Sequence, residues 1–123
     1  SKPFRALSLA DNQAVVTAIS NDDGYEKIFT QQLQVLMKQR DVVVAISASG
    51  NSINLVNALE YANNNGATTV GITSFDGGKL RQMAKLGVHV PANKGEYGPA
   101  EDAHMVLNHI IGAYLTRWVA GEE

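Results

Sequence analysis

The sequence contains no cysteine. That excludes disulfide bridges, thiolate metal sites and a cysteine nucleophile, and it fits a reducing compartment. It also lacks a long apolar run. Nothing approaches the length needed to cross a membrane, and the N-terminal Ser1-Lys2-Pro3-Phe4-Arg5 does not read as a signal peptide. The expectation is a cytoplasmic protein without membrane contact. Charge of one sign is missing too: the net charge is −2, with Lys and Arg scattered, so there is no basic stripe of the kind that binds nucleic acid. No internal repeat, linker or low-complexity segment is visible.

Two phosphate fingerprints are absent as well. A Walker A loop requires a Gly separated by four residues from Gly-Lys, with a hydroxyl after it. Around Gly78-Lys79 those positions are Thr73 and Leu80. There is no G-x-G-x-x-G, so no dinucleotide, and no nucleotide cofactor, is indicated.

What remains is a chain of 123 residues, 45% hydrophobic and 18% charged, which suits one folded domain with a core. Strand and helix patterns alternate. Arg5 to Ala10 reads as a short strand, and Asp11 as the cap of a helix to about Ile19. Asn21-Asp22-Asp23-Gly24 reads as a polar turn. Tyr25 to Arg40 has the apolar spacing of a helix (Ile28, Phe29, Leu33, Leu36, Met37). Val42 to Ser47 is apolar and β-branched, as a strand covered on both faces would be. Ser52 to Asn65 is a helix with Gly66 as C-terminal cap, Ala67 to Ser74 a third strand, and Asp76-Gly77-Gly78 a turn. Lys79 to Leu86 predicts a short helix, Val88 to Val90 a fourth strand, and Ala100 to Val119 a long, broadly apolar helix after a loop ending at Pro99. Strands separated by helices imply an α/β fold, a parallel sheet with helices on both faces. Ligands in such sheets bind beyond the carboxyl ends of the strands.

Three polar turns lie at strand ends or in connections: Asn21–Gly24, Ser47–Ser52 and Thr73–Gly78. The middle one, Ser47-Ala48-Ser49-Gly50-Asn51-Ser52, follows the most apolar strand and opens a helix. Helix N–H groups without partners, the positive end of the helix dipole, hydroxyls and a Gly for close approach together make an anion cradle. Capping is the plainer reading. The ligand reading is stronger, because a cap needs one such residue and this turn has four. The loop contains no Lys, so its site rests on neutral donors, which suits a sugar phosphate better than a triphosphate.

The last helix carries Glu101, Asp102, His104, Asn108 and His109. At about 100° per residue, His109 lies roughly 80° from Glu101, with His104 on the other flank. Glu101 and His109 are therefore expected to face one pocket, with Val106, Ile110 and Tyr114 facing a core. A His here is a candidate acid/base or metal ligand. A core or interface His satisfied by a carbonyl is slightly favoured on the pattern alone. Glu101 and Asp102 also read as first-turn acids complementing the helix dipole after Pro99. His89 and Trp118 read as structural.

The combination of strand, S-x-S-G-N-S loop and helix, preceded by N-D-x-G and followed by a helix with E/Q-[ED]-x-H-x(4)-H, resembles the sugar isomerase (SIS) domain family. Within it the pattern is most similar to the phosphoheptose isomerase branch, which also contains the non-catalytic DnaA initiator-associating protein. The resemblance spans essentially the whole chain. It implies a three-layer α-β-α sandwich with flavodoxin-like strand order 2-1-3-4-5. It implies that Ser47, Ala48, Ser49 and Ser52 hold the sugar phosphate and that Asn21 and Asp22 contact the sugar. His109 matches the catalytic His, which in some members also binds zinc. Glu101 matches a position that is typically Gln, a substrate contact and metal ligand. The implied cofactor is one divalent metal, zinc, on Glu101 and His109. Ala48 stands where Thr is common, a change of little consequence if that position offers its backbone N–H. Glu101 adds a negative charge beside the substrate.

The resemblance also implies an upstream segment that is not in this sequence: helices, a strand with a G-N-G-G-S loop, and a helix with H-x(3)-E bearing the second catalytic group. The chain, residues 1–123, is then a partial SIS domain, its C-terminal two-thirds. The implied activity is aldose–ketose isomerisation of sedoheptulose 7-phosphate, in lipopolysaccharide heptose biosynthesis, by a homotetramer. The alternative is a phosphosugar-binding regulatory or scaffold protein without turnover.

Overall fold

A computed structural model describes residues 3–121; Ser1 and Lys2, named in the sequence reading, lie outside them. Three parallel strands form one sheet in the order β1-β2-β3: β1 Val42–Ser47, β2 Thr68–Ser74 and β3 Leu86–Val90. The register pairs Ser47 with Thr73, and Thr73 with His89, so the polar carboxyl ends of the strands line up. The described residues also form five α-helices: α1 Gln13–Asp22, α2 Thr30–Leu36, α3 Ile53–Asn64, α4 Gly78–Met83 and α5 Tyr97–Ala120.

The two faces of the sheet differ. Side chains alternate along a strand, and the face bearing Val43, Ala45, Thr69 and Gly71 is covered by α3 and α4. Its core is Ala45, Val56, Leu59 and Leu80, with Val43, Leu55, Met83 and Ala84 packed on it. Leu59 and Leu80 are fully buried, each worth about 1.5–3 kcal/mol relative to exposure. Gly71 allows the close approach, since a Cβ there would stand 3.0 Å from the Ala84 Cβ. Thr69 Oγ1 donates to Asn63 Oδ1 at 2.7 Å, satisfying a buried hydroxyl. The other face keeps Val42, Val44, Ile46 and Leu86 exposed; α5 meets it only at the carboxyl end. The expected α/β architecture with a parallel sheet flanked by helices is therefore present. The strand reading of Val42 to Ser47 needs one correction: it is the edge of this sheet, open on one face.

Several local expectations change. Arg5 to Ala10 is not a strand. Residues 3–8 have no regular structure and Leu9-Ala10 turns; an apolar run becomes a strand only with a neighbour to pair with, and none flanks it among the described residues. Leu9 gives its carbonyl instead to the Gln32 side chain, at 2.9 Å. The first helix is capped by Asn12, not Asp11, through a bond from Val15 N–H to Asn12 Oδ1 at 3.1 Å. It runs on through Asn21 and Asp22, which close its last turn rather than forming a loop. Gly24, at φ +107°, then redirects the chain.

The helical run from Tyr25 to Arg40 is broken into a 3₁₀ turn at Tyr25–Lys27 and α2, and the chain turns again before Asp41. Asp41 Oδ2 accepts from Lys38 N–H at 2.9 Å and supports that turn. Leu86 belongs to β3 rather than to the helix before it. The last helix begins at Tyr97 and takes Pro99 into its first turn, where a missing N–H leaves no bond unmade. Glu101 and Asp102 consequently lie beyond the first turn. Val106, Ile110 and Tyr114 are exposed, not core. The buried stripe of α5 is Ala100 and His104, and Val106 sits roughly 200° around the helix from His104.

Gly50 has φ +66°, and a Cβ there would be driven into the Gly77 carbonyl. Gly50→Ala in the full protein is expected to lower the urea midpoint, with a cost of about 2 kcal/mol or more. An unchanged midpoint would show that the two turns are not in contact.

Candidate functional site

The Ser47–Ser52 loop leaves the carboxyl end of β1 and enters α3, as the strand and helix patterns require. Its hydroxyls shape the loop from within. Gly50 N–H donates to Ser47 Oγ at 3.0 Å, and Asn51 N–H donates to Ser49 Oγ at 3.3 Å. Both hydroxyls are thus acceptors to the loop backbone and keep an O–H directed elsewhere. Ser52 stands at the N-cap of α3, yet its side chain makes no cap bond. The first helical bonds are donated by Leu55 and Val56 to the Ser52 carbonyl, both at 3.0 Å. The N–H groups of Ile53 and Asn54 precede them and point out of the helix end. Hydroxyl donors and open helix N–H groups therefore converge beyond the strand end, an arrangement suited to the oxygens of a phosphate.

The second turn holds the first in place. Ser74 N–H donates to the Ala48 carbonyl at 3.0 Å, Leu80 N–H to the Gly50 carbonyl at 2.9 Å, and Lys79 N–H to Asn51 Oδ1 at 3.1 Å. Asn51 is accordingly a structural member of the loop, tying it to the start of α4. Ser47, Ala48 and Ser49 are partly buried, while Ser52 is exposed.

Asn21 and Asp22 are exposed at the end of α1, with Asn21 Nδ2 donating to Asp22 Oδ1 at 2.8 Å. No hydrogen bond joins them to the loop among the described residues. The segment just after them is held to α3, since Asn57 Nδ2 donates to the Glu26 carbonyl at 3.3 Å.

Glu101 and His109 are both exposed on α5. Eight residues separate them, a rise of about 12 Å along the axis. No group of three or more His, Cys, Asp or Glu side chains that could hold a metal ion occurs among the described residues. The pair on α5 is thus not a complete metal site. A cleft of about 530 Å³ between α2 and α3, lined by residues such as Thr30, Asn57 and Tyr61, contains none of the expected site residues. A second, of about 340 Å³, lies beside Phe75 and Glu96 at the start of α5.

His104, named with the other polar residues of α5 but given no role of its own, is the His that a carbonyl satisfies. It is 9% exposed, with Nε2 at 3.3 Å from Ser74 Oγ and 3.4 Å from the Thr73 carbonyl. Thr73 Oγ1 in turn lies 3.1 Å from His89 Nδ1. The signal was available in part: Thr73–Gly78 stood out as a polar turn at a strand end. That Ser74 meets His104 required the packing of α5.

A family model described as SIS domain matches residues 3–74, which include the whole loop. The chain is 35% identical over 105 residues to a phosphoheptose isomerase of Aliarcobacter butzleri, covering 85% of this chain and 54% of that protein. To a phosphoheptose isomerase of Aneurinibacillus thermoaerophilus it is 38% identical over 110 residues, 89% of this chain and 54% of the other. Among solved structures, phosphoheptose isomerase from Neisseria gonorrhoeae matches with a TM-score of 0.80 at 32% identity, over 85% of this chain and 58% of that one. A phosphoheptose isomerase from Francisella tularensis matches with a TM-score of 0.83 at 27% identity, over 88% and 59%. The chain spans a little over half the length of these relatives, 54% for both curated proteins. With its loop inside the matched region and its fold shared with these structures, the chain belongs to the SIS-domain family.

Proposed function

We propose that this chain is the phosphosugar-binding part of an aldose–ketose isomerase acting on sedoheptulose 7-phosphate. The observation that carries the reading is the Ser47–Ser52 loop, whose hydroxyls accept from its own backbone and offer their O–H groups at the open end of α3. Its similarity to phosphoheptose isomerases supports the choice of sugar.

The reaction begins when a base removes the proton on the carbon beside the carbonyl. The electron pair forms the double bond of a cis-enediolate, and charge develops on the former carbonyl oxygen. The hydroxyl on the first carbon gives up its proton and becomes the new carbonyl, the former carbonyl oxygen gains one, and the carbon-bound proton returns at the former carbonyl carbon. Two positioned proton-transfer groups and donors for the oxyanion are needed. Binding at the phosphate end positions the reacting carbons at the other. His109 is assigned as one acid/base, and Glu101, Asn21 and Asp22 as sugar contacts. The reaction calls for a second proton-transfer group, a carboxylate by the resemblance, to which no residue here is assigned. A divalent metal, zinc by the resemblance, would need ligands beyond Glu101 and His109, so no step is routed through it. The exposed Ile110, Tyr114 and Trp118 of α5 fit a contact between subunits, and a homotetramer is the assembly the resemblance implies. The setting is cytoplasmic heptose biosynthesis.

In the full-length protein, His109→Asn is expected to reduce turnover of sedoheptulose 7-phosphate by at least about 100-fold. Undiminished turnover would remove His109 from the chemistry. Binding of the sugar phosphate by an unmutated protein that never turns it over would favour the regulatory reading.

Ser52→Ala separates ligand binding from capping. Calorimetry should show sugar-phosphate binding weakened by about 1 kcal/mol or more, with stability little changed because the hydroxyl makes no cap bond. A loss of stability with full affinity would make Ser52 a cap instead.

A further inference from the structure

α5 is 24 residues long, yet only Ala100 and His104 on it are buried. Both lie in its first two turns. Tyr97 meets Phe75 edge-to-face, with ring centroids 5.1 Å apart and planes at 86°. Phe75 is held there at φ +53°, a conformation a bulky residue adopts only under constraint. One turn beyond Ala100, His104 reaches the Thr73 carbonyl and Ser74 Oγ. A carbonyl can only accept, so the contact requires a proton on Nε2. The hydroxyl of Ser74 shares that donor. Past His104 most side chains are exposed, with Leu107, Leu115 and Val119 half-buried, and His109 lies about 7.5 Å further along the axis.

Ser74 has a second connection. Its backbone N–H donates to the Ala48 carbonyl inside the phosphate-binding loop. A continuous chain therefore runs from the loop, through Ala48 and Ser74, to the imidazole of His104 and so to the helix that carries Glu101 and His109. Nothing else polar anchors α5 to the strand ends among the described residues. A small rotation about this contact displaces everything beyond it, because the projecting helix acts as a lever.

We infer that His104 and Ser74 are positioning residues: their buried hydrogen bond sets the aim of α5 relative to the phosphate-binding loop. Neither touches the substrate. The inference rests on the isomerase reading for its kinetic consequence, but its structural part stands apart from turnover.

The test uses the full-length protein with His104→Leu, His104→Gln and Ser74→Ala. Gln can donate to the same two oxygens, so it should restore what Leu removes. The expected result for Leu is a fall in kcat of roughly ten- to a hundredfold, with KM for sedoheptulose 7-phosphate within about twofold, since the loop still holds the phosphate. Ser74→Ala should fall between Leu and wild type. Amide hydrogen exchange over residues 100–110 should quicken in His104→Leu and recover in His104→Gln. In ¹⁵N spectra the His104 ring should appear as the Nε2–H tautomer, and its signals should shift when inorganic phosphate is added to wild type but not to Ser74→Ala. Unchanged kcat in His104→Leu, or unchanged exchange in α5, overturns the inference. A wild-type protein without isomerase activity overturns the isomerase reading alone; the exchange and ring-nitrogen measurements then decide whether His104 and Ser74 aim the helix.

Discussion

The close backbone contact between the turns after β1 and β2 is the constraint on which the rest of the site depends. Gly50 and Gly78 both lie in the left-handed region, and neither could carry a Cβ without striking the opposite turn. The absence of side chains lets Gly50 offer its carbonyl to Leu80 N–H, and Asn51 Oδ1 to Lys79 N–H. These bonds satisfy donors at the start of α4 that the helix itself leaves unpaired. The Ser47–Ser52 loop is thus held as part of a two-turn unit. Its hydroxyls owe their direction to that unit as much as to the α3 N-terminus.

From this unit the two halves of the site diverge in how firmly they are held. The loop lies above a core in which Leu59 and Leu80 are fully buried, and its own hydrogen bonds are short-range. α5 is held by an aromatic edge contact and one buried His. On the proposed reading, holding a phosphate needs only the first half, while proton transfer at the far end of the sugar needs the second and is sensitive to small displacements. Ser74 belongs to both halves, through its N–H and its hydroxyl.

The loop was legible in the sequence because its determinants are local. A β-branched run, a hydroxyl-rich turn with one Gly and a helical period lie in consecutive residues from Val42 to Asn64. The α3 and β2 boundaries followed to within a residue for the same reason. Arg5 to Ala10 misled because apolar character makes a strand only when a partner offers a ladder. Tyr25 to Arg40 misled because apolar spacing survives a break in the backbone; Ile28 and Leu33 are both buried although a turn separates the helical pieces. On α5, periodicity identified the helix but not its buried side. An apolar stripe containing Ile110 and Tyr114 outscored a shorter one of Ala100 and His104.

By itself the sequence determined the α/β class, the parallel strand–helix alternation and the hydroxyl-rich loop between β1 and α3, since each depends on propensities and patterns within a few residues. Tertiary structure alone decided that β1 is an edge strand, that α5 docks by its first two turns, and that His104 rather than Val106 or Ile110 faces inward. Those outcomes depend on which surfaces meet, and that is a property of residues far apart in the chain: Ser74 and His104 stand thirty positions apart. The hydrogen bond between them exists only because β2 ends where the first turns of α5 pass over it.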